Sequence, residues 1–453
     1  MNYSFKNVLS AGLIAVMSAS LLAACGNDKD AKPSPSGSPS ASSATSADPQ
    51  QKSDKPFNGQ KLSIVTANHP WGDVIKTLAP QFEEKTGIKV DIQSFFEDQL
   101  TQKLTVQFTA GSKTPDVFMF RPMQDIKLFY KNGWVQAIDT YAKADEAYDF
   151  NDFSKTSISS TTVDGNLAGI PLITEQHILY YRKDLLEKAG IPVPKTMDEL
   201  IAAAGKLHDP KNEVYGFVSR GQASPLVGQI SSFIYSEGGE FMKDGNSIIN
   251  APEAVKGMSI YANLLKDYAP PGVLNMSWPQ AIGVFAEGKA AFFADANSIY
   301  KNAIDPEKSK VADKVGYAQF PAGSAGSNPF NITSWGIAMN SQSGNKDAAW
   351  EFMKWATSKE IVLETQKKGN PGPRLSVWAN PEGITAYPPE LAQVTMETQK
   401  GGVDHSLPQV SNVSEARDII GGIVQKAILG EDIQKAADQG HKEFQALIDN
   451  EKK

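Results

Sequence analysis

Cysteine is almost missing from this chain: 453 residues contain one, Cys25. A lone thiol closes no internal disulfide and builds no thiolate zinc site, so neither a stapled scaffold nor a zinc domain is expected. Histidine is scarce as well. The five, His69, His177, His208, His405 and His441, show no i,i+4 pair and no HExxH spacing, so no metal is expected. There is no Walker-type glycine-rich loop, which argues against an ATPase. There is no G-x-S-x-G nucleophile elbow either. No cofactor is expected. Basic residues do not exceed acidic ones (44 against 51, net charge −7), which argues against a nucleic-acid partner.

What is present begins with a leader. Met1 to Ala24 carries one lysine, no acid, and from Val8 onward almost only apolar or small residues. A secretory signal reads this way. The apolar part falls short of the ~20 residues that a membrane-spanning helix needs. Cys25 follows directly, in Leu22-Ala23-Ala24-Cys25-Gly26, a stretch that resembles the lipobox of bacterial lipoproteins. The resemblance implies cleavage before Cys25, acylation of its thiol, and an anchor on the extracellular face of the cell membrane. Two or more acyl chains hold a protein there stably. Residues 25–60 then read as a linker rich in Ser, Pro, Ala and Lys, too poor in apolar side chains to offset the entropy of ordering.

From Lys61 the chain alternates strand and helix patterns. Lys61 to Ala67 reads as a strand. Val74, Ile75, Leu78 and Phe82 share one helical face, with a kink expected at Pro80 and a stop at Gly87. Ile88, Val90 and Ile92 alternate as a second strand, Leu100 to Ala110 is helical, and Asp116 to Phe120 is a short buried strand. This β-α-β-α-β order implies an α/β fold with a mostly parallel sheet flanked by helices. Thr196-Met197-Asp198-Glu199 is a capping box, and Asn250 is placed to cap a helix starting at Pro252. The folded part is too long for one core to be the usual solution, so two domains are expected.

Several stretches, in order, carry a resemblance: QFEEKTGIKV (Gln81 to Val90), TPDVF (Thr114 to Phe118), GIP (Gly169 to Pro171), LYYRKDLLEKAGIPVPKTMDEL (Leu179 to Leu200), FAEGKAAFFADAN (Phe285 to Asn297) and SWGIAMNSQSGNKDAAWEFMKWATS (Ser334 to Ser358). Together they resemble the family 1 extracellular solute-binding proteins of ABC importers. The resemblance implies two lobes of the periplasmic-binding-protein type, class II-like, with a small solute held between them. The expected division is 61–171 with 331–378 as the N-terminal lobe, and 172–330 with 379–453 as the C-terminal lobe. Crossings are expected near 168–173, 327–333 and 375–381. EDQLTQKL (Glu97 to Leu104), the arginine of YRKDLL and TSWGIA resemble polyol-binding members more than maltodextrin binders. The expected partners are a small carbohydrate (polyol, monosaccharide or short oligosaccharide) and the permease subunits, with the protein itself a monomer.

Ligands of open α/β sheets sit beyond the carboxyl ends of strands. That rule selects His69 and Trp71 after the first strand, Arg121 after the third, and Asp295 and Asn297 after the strand at Ala290 to Phe293. Asp accepts hydroxyl protons, Arg donates through a planar fork, and Trp offers a flat apolar face to sugar C–H groups. Glu175 joins them or braces a hinge. Trp278 and Trp335 stack on ligand or pack in cores. Arg220 and Gln222 follow a strand of the second lobe. Arg374, in the stiff loop GNPGPRLS, resembles the Pro-x-Arg of sugar- and polyol-binding members and points into the cleft or ties the two lobes together. Two rivals use other chemistry: a lipid-anchored glycoside hydrolase, needing only two well-spaced carboxylates, and a ligand sensor for a receptor kinase.

Overall fold

Lys61–Ala67 forms a strand, β1, as expected, buried almost throughout after Lys61, as a central strand covered on both faces is. Helix α1 (Pro70–Thr86), strand β2 (Lys89–Phe95), helix α2 (Glu97–Thr109) and strand β3 (Val117–Phe120) follow. β1 pairs in parallel with both β2 and β3, the geometry that crossover helices permit. The computed structural model describes Lys55 and residues 57–452. The leader, Cys25 and the linker up to residue 54 lie outside the described residues. The end of the linker is tied to the body. Phe57 packs against the first core and the Gly59 N–H donates to the Gly87 carbonyl at 3.3 Å.

Local signals fared well in this region. α1 runs on through Pro80, which lies on its exposed side, where water can reach the carbonyl left without a donor. Gly87 ends α1 with φ +81°, a left-handed conformation that glycine adopts without strain. The Thr196–Glu199 capping box forms at the start of Met197–Leu207. Asn250 does not cap its helix. Its side-chain amide donates instead to Asp438, and Ala251 occupies the cap position.

The remaining strands of the main sheet are β4 (Ile170–Arg182), β5 (Tyr215–Val218), β6 (Ala290–Ala296), β7 (Val315–Gln319) and β8 (Asn331–Met339). The order is β2-β1-β3-β8-β4-β6-β5, with β7 also on β4. Residues Ile170 to Gln176 of β4 pair with β8, and His177 to Arg182 pair with β6 and β7. Parallel pairing holds for β1 with β2 and β3 and for β5 with β6. Every antiparallel ladder of the sheet involves β4 or β8.

Two bodies of apolar packing flank these long strands. The first joins β1 to β3 and α1 with Ile173, Trp335, Ile337 and the helix Lys346–Ala356. The second gathers around Leu179, Phe217, Phe233, Phe292 and Phe444, with a neighbouring cluster of Ile178, Tyr180, Phe293, Tyr300 and Trp378. Helices α3 (Ala223–Ser236), α4 (Pro252–Tyr268), α5 (Trp278–Ala286), α6 (Val413–Ile428) and α7 (Ile433–Glu451) belong to this second side. The architecture is a two-lobed α/β fold. No helix among the described residues is long and apolar enough to cross a membrane.

Candidate functional site: a charged cavity between two walls

A cavity of about 610 Å³ opens between the loops after β2 and β3 on one wall and the starts of α3, α5 and α6 on the other. Glu97, Arg121 and Asp125 line the first wall; Arg220, Trp278 and Arg417 line the second.

Arg121 directly follows β3. Its Nη2 donates to Thr101 Oγ1 at 2.9 Å, its Nε lies 3.5 Å from Asp125, and its Nη1 lies 3.8 Å from Glu97. The buried Asp125 also accepts the Arg121 backbone N–H at 2.8 Å. Burial raises the Asp125 carboxyl above its ordinary range although Arg121 opposes the shift.

Arg220, just past β5, meets Asp295 as a two-pronged fork, Nε to Oδ2 at 2.8 Å and Nη2 to Oδ1 at 2.5 Å. Burial works against the Arg220 charge, but Asp295 and then Glu175 hold its pKa above the ordinary guanidinium value. The Tyr261 hydroxyl donates to the Arg220 carbonyl at 2.6 Å, which fixes the backbone. In the amide orientation that satisfies both neighbours, Gln229 accepts from Arg220 Nε and Nη2 and donates to His177 Nε2, each at 3.2 Å. Glu175 sits on β4, where Ser298 donates to its Oε1 at 2.7 Å. Burial raises its pKa, against the Ser298 bond and Arg220.

Arg417 arrives from the far end of the chain. Gly421, one turn further along α6, lies so close to Ala223 that a Cβ would stand 2.0 Å from the Ala223 carbonyl. This approach sets α6 against the start of α3. Arg417 Nε then donates to the Ser224 carbonyl at 3.0 Å, and the guanidinium lines the cavity. Burial, then Arg220 and Arg121, push its pKa down to about 10.

The scan against known families matches residues 68–362 to the bacterial extracellular solute-binding proteins. A mannitol-binding protein of Pseudomonas aeruginosa is 30% identical over 369 residues, spanning 78% of this chain and 82% of that protein. The chain is a bacterial extracellular solute-binding protein. Among solved structures, a solute-binding protein of Agrobacterium radiobacter in complex with ribitol superposes with a TM-score of 0.75 at 30% identity, covering 87% of this chain and all of that one. One from Agrobacterium vitis with bound D-mannitol gives a TM-score of 0.70 at 28% identity, covering 86% and 98%.

In this solute-binding protein the residues selected from sequence divide into three groups. Arg121, Arg220 and Trp278 come together at the cavity, Trp278 with 40% of its surface exposed. Asp295 and Glu175 stand behind Arg220. Asp295 is 0% exposed and lies within β6, which extends further than the expected strand, so it supports the site without lining it.

The rest are placed elsewhere. Trp71 is 1% exposed and packs in the first core, because the apolar face of α1 turns it inward. Trp335 is also buried in that core, with its ring 6.2 Å from that of His69. His69 caps α1, its Nδ1 accepting the Trp71 N–H at 3.1 Å, and burial lowers its pKa to about 4. It is not among the cavity-lining residues. Gln222 is exposed at the start of α3 and does not line the cavity.

Asn297, 3% exposed, spends its amide on Gln176 and Thr395 at 3.1 Å each. Arg374 is 0% exposed and does not reach the cavity. It donates to the carbonyls of Thr357, Asp149 and Tyr148 and to Asp152, with its guanidinium over the rings of Phe153 and Tyr148. Backbone acceptors and two aromatic faces outcompete the cleft for that fork.

Glu97, Gln124, Asp125 and Arg417 were missed. Glu97 follows β2, so the rule that selected Arg121 also selects it. Arg417 left no local signal, since its place depends on a helix packing formed across the fold.

Proposed function

We propose that this protein captures a small carbohydrate, a polyol, monosaccharide or short oligosaccharide, and delivers it to the permease of an ABC importer. The observation that carries this reading is the cavity itself. Its volume suits a small solute. Arginine forks alternate with carboxylates, so hydroxyls find both donors and acceptors, and Trp278 offers a flat apolar face. The family and the polyol complexes of its relatives support the same reading.

In this reading the two lobes, 61–171 with 331–378 and 172–330 with 379–453, close on the solute about β4 and β8. Ligand must favour the closed form, or it shifts nothing. Cys25 carries the lipid, residues up to 60 tether the body, and the protein works as a monomer on the extracellular face. Asp295 is not available to a hydrolase as an acid, base or nucleophile. Both of its oxygens are held by Arg220, one also accepts the Ala296 N–H, and water has no approach. A sensor for a receptor kinase would use the same closure and differ only in its reader.

Thermal unfolding of the full chain in detergent, against alditols, monosaccharides and short oligosaccharides, tests the reading. A ligand at 100 times its Kd adds about 2.7 kcal/mol of stability. Stabilisation by a carbohydrate recovered unchanged supports capture. Hydrolysis products, or stabilisation only by peptides or metal chelates, would refute it. Radiolabelled palmitate incorporation, absent in Cys25→Ala, tests the anchor.

A further inference from the structure

Three guanidinium groups converge on the cavity, and they are not equivalent. Arg121 faces Asp125 and Glu97, and Arg220 is clasped by Asp295. Arg417 forms no ion pair among the described residues. Its Nε is spent on the Ser224 carbonyl, and Nη1 and Nη2 have no protein partner among the described residues. The charges that reach it are two repelling arginines, Arg220 and Arg121, and one attracting group, Asp418, which is exposed beside it on α6. The carboxylates of the site are engaged elsewhere. Asp295 and Asp125 hold the other arginines, while Glu175 accepts from Ser298, is attracted by Arg220 and is repelled by Asp295 and Glu97. The cavity is thus polarised, with an exposed carboxylate at Glu97 and an unmatched cation at Arg417.

We propose that the solute is a polyhydroxy anion, an aldonate or a sugar phosphate, whose oxyanion pairs with Arg417 while its hydroxyls meet Glu97, Arg121 and Arg220. This rests on the carbohydrate-capture reading and names the class of ligand within it. A solute entering the cavity takes the place of water at Arg417. A ligand that displaces this water must compensate the desolvated charge. A neutral hydroxyl returns a single ordinary hydrogen bond. A carboxylate or phosphate accepts from both terminal nitrogens in a charge-assisted fork, roughly twice as strong per bond. It also neutralises the repulsion that Arg121 and Arg220 exert on Arg417.

Calorimetric titration of the full chain in detergent, at pH 7 and fixed ionic strength, decides the matter with matched pairs: ribitol against D-ribonate, D-glucitol against D-gluconate, and D-glucitol against D-glucitol 6-phosphate. The expected result is an anion binding about tenfold or more tightly than its neutral parent in at least one pair, as one additional charge-assisted contact implies. Arg417→Gln removes the preference. Arg417→Lys, which keeps the charge but loses the fork, retains part of it. The two acid arms separate carboxylate from phosphate as the source of the charge. Neutral parents binding as well as the anions in every pair, or a preference that survives Arg417→Gln, would overturn the proposal and leave carbohydrate capture standing. Failure of these compounds and of every other carbohydrate to bind would remove both.

Discussion

Replacing Arg374 with alanine distinguishes a ligand arginine from a structural one. The side chain donates to three main-chain carbonyls at 2.7, 3.1 and 3.0 Å, reaches Asp152 at 3.3 Å, and lies 4.2 Å from the centre of the Phe153 ring. None of its surface meets solvent. Truncation leaves three carbonyls short of a donor and Asp152 short of its nearer cation, with Lys359 remaining at 4.0 Å. Asp152 still accepts from Ser376 N–H and Oγ at 2.8 and 2.7 Å, which softens the loss. Breaking a buried pair from one side costs about 3–5 kcal/mol, and the lost ring contacts add up to about 1 kcal/mol. For a lobe of this size the midpoint falls on the order of 10 °C. Thermal and urea unfolding of Arg374→Ala measure this loss, and titration with ribitol or D-mannitol measures affinity alongside. The expected result is a large fall in stability with affinity for the surviving folded protein changed less than about twofold. An unchanged midpoint with affinity lost would return Arg374 to the cleft and refute the reasoning.

Other perturbations test the cavity and the charges around it. Asp295→Asn removes the carboxylate that clasps Arg220; we expect affinity to fall at least about tenfold and stability by about 2–4 kcal/mol, with the double change Asp295→Asn, Arg220→Met losing less stability than the sum. Additive losses would deny that the two act as a pair. Trp278→Ala should cost affinity while unfolding stays within about 0.5 kcal/mol, since much of the ring is exposed; a large stability loss would make it a core residue. His405 is bracketed by Asp404 at 2.9 Å and Glu240 at 3.1 Å. Burial opposes its charge, yet the Asp404 and Glu240 bonds raise its pKa to about 9. A folded pKa above the ordinary 6.5 contributes stability that is fully present below pH 6.5 and is lost as pH rises through about 9. His405→Gln should therefore flatten the stability profile between those limits, and an unchanged slope would refute the assignment.

How much of this was legible beforehand follows from the range of each interaction. α1 and its Gly87 stop, the Thr196 capping box and the β1–β3 units are set by neighbours within a few residues, and these features formed as the sequence implied. The two Asp-Gly turns, Asp164-Gly165 and Asp244-Gly245, have positive φ at both positions and close two small hairpins. Two-residue turns of this kind favour such a pair, so that signal was available and went unread. Residue type found the cavity's chemistry but not its addresses. Trp71 and Arg374 have the right chemistry, yet an apolar helix face claims one and a ring of carbonyls claims the other. Arg417 is the opposite case. Its address depends on Gly421 letting α6 approach the start of α3, a contact between segments about two hundred residues apart, which no local pattern encodes.

The strands joining the lobes explain how one continuous sheet can still bend. β4 is apolar through Ile173 and again from Ile178, but Thr174-Glu175-Gln176-His177 interrupts it. β8 is interrupted alongside by Asn331, Thr333 and Ser334, with register shifts on either side of Trp335. At that level the strands exchange amide bonds instead of apolar contacts. Gln176 Nε2 donates to Asn331 at 3.4 Å, Asn297 donates to Gln176 at 3.1 Å, and Asn331 donates to the Gly401 carbonyl at 2.9 Å. Apolar packing is close-fitted and resists shear, whereas a neutral hydrogen bond contributes only about 0.5–1.5 kcal/mol net and tolerates changes of angle. A polar belt between two apolar bodies is therefore where bending costs least. Glu175 lies in that belt and also interacts with Arg220 and Glu97 at the cavity. A solute that engages those groups acts directly on the segment about which the proposed closure turns.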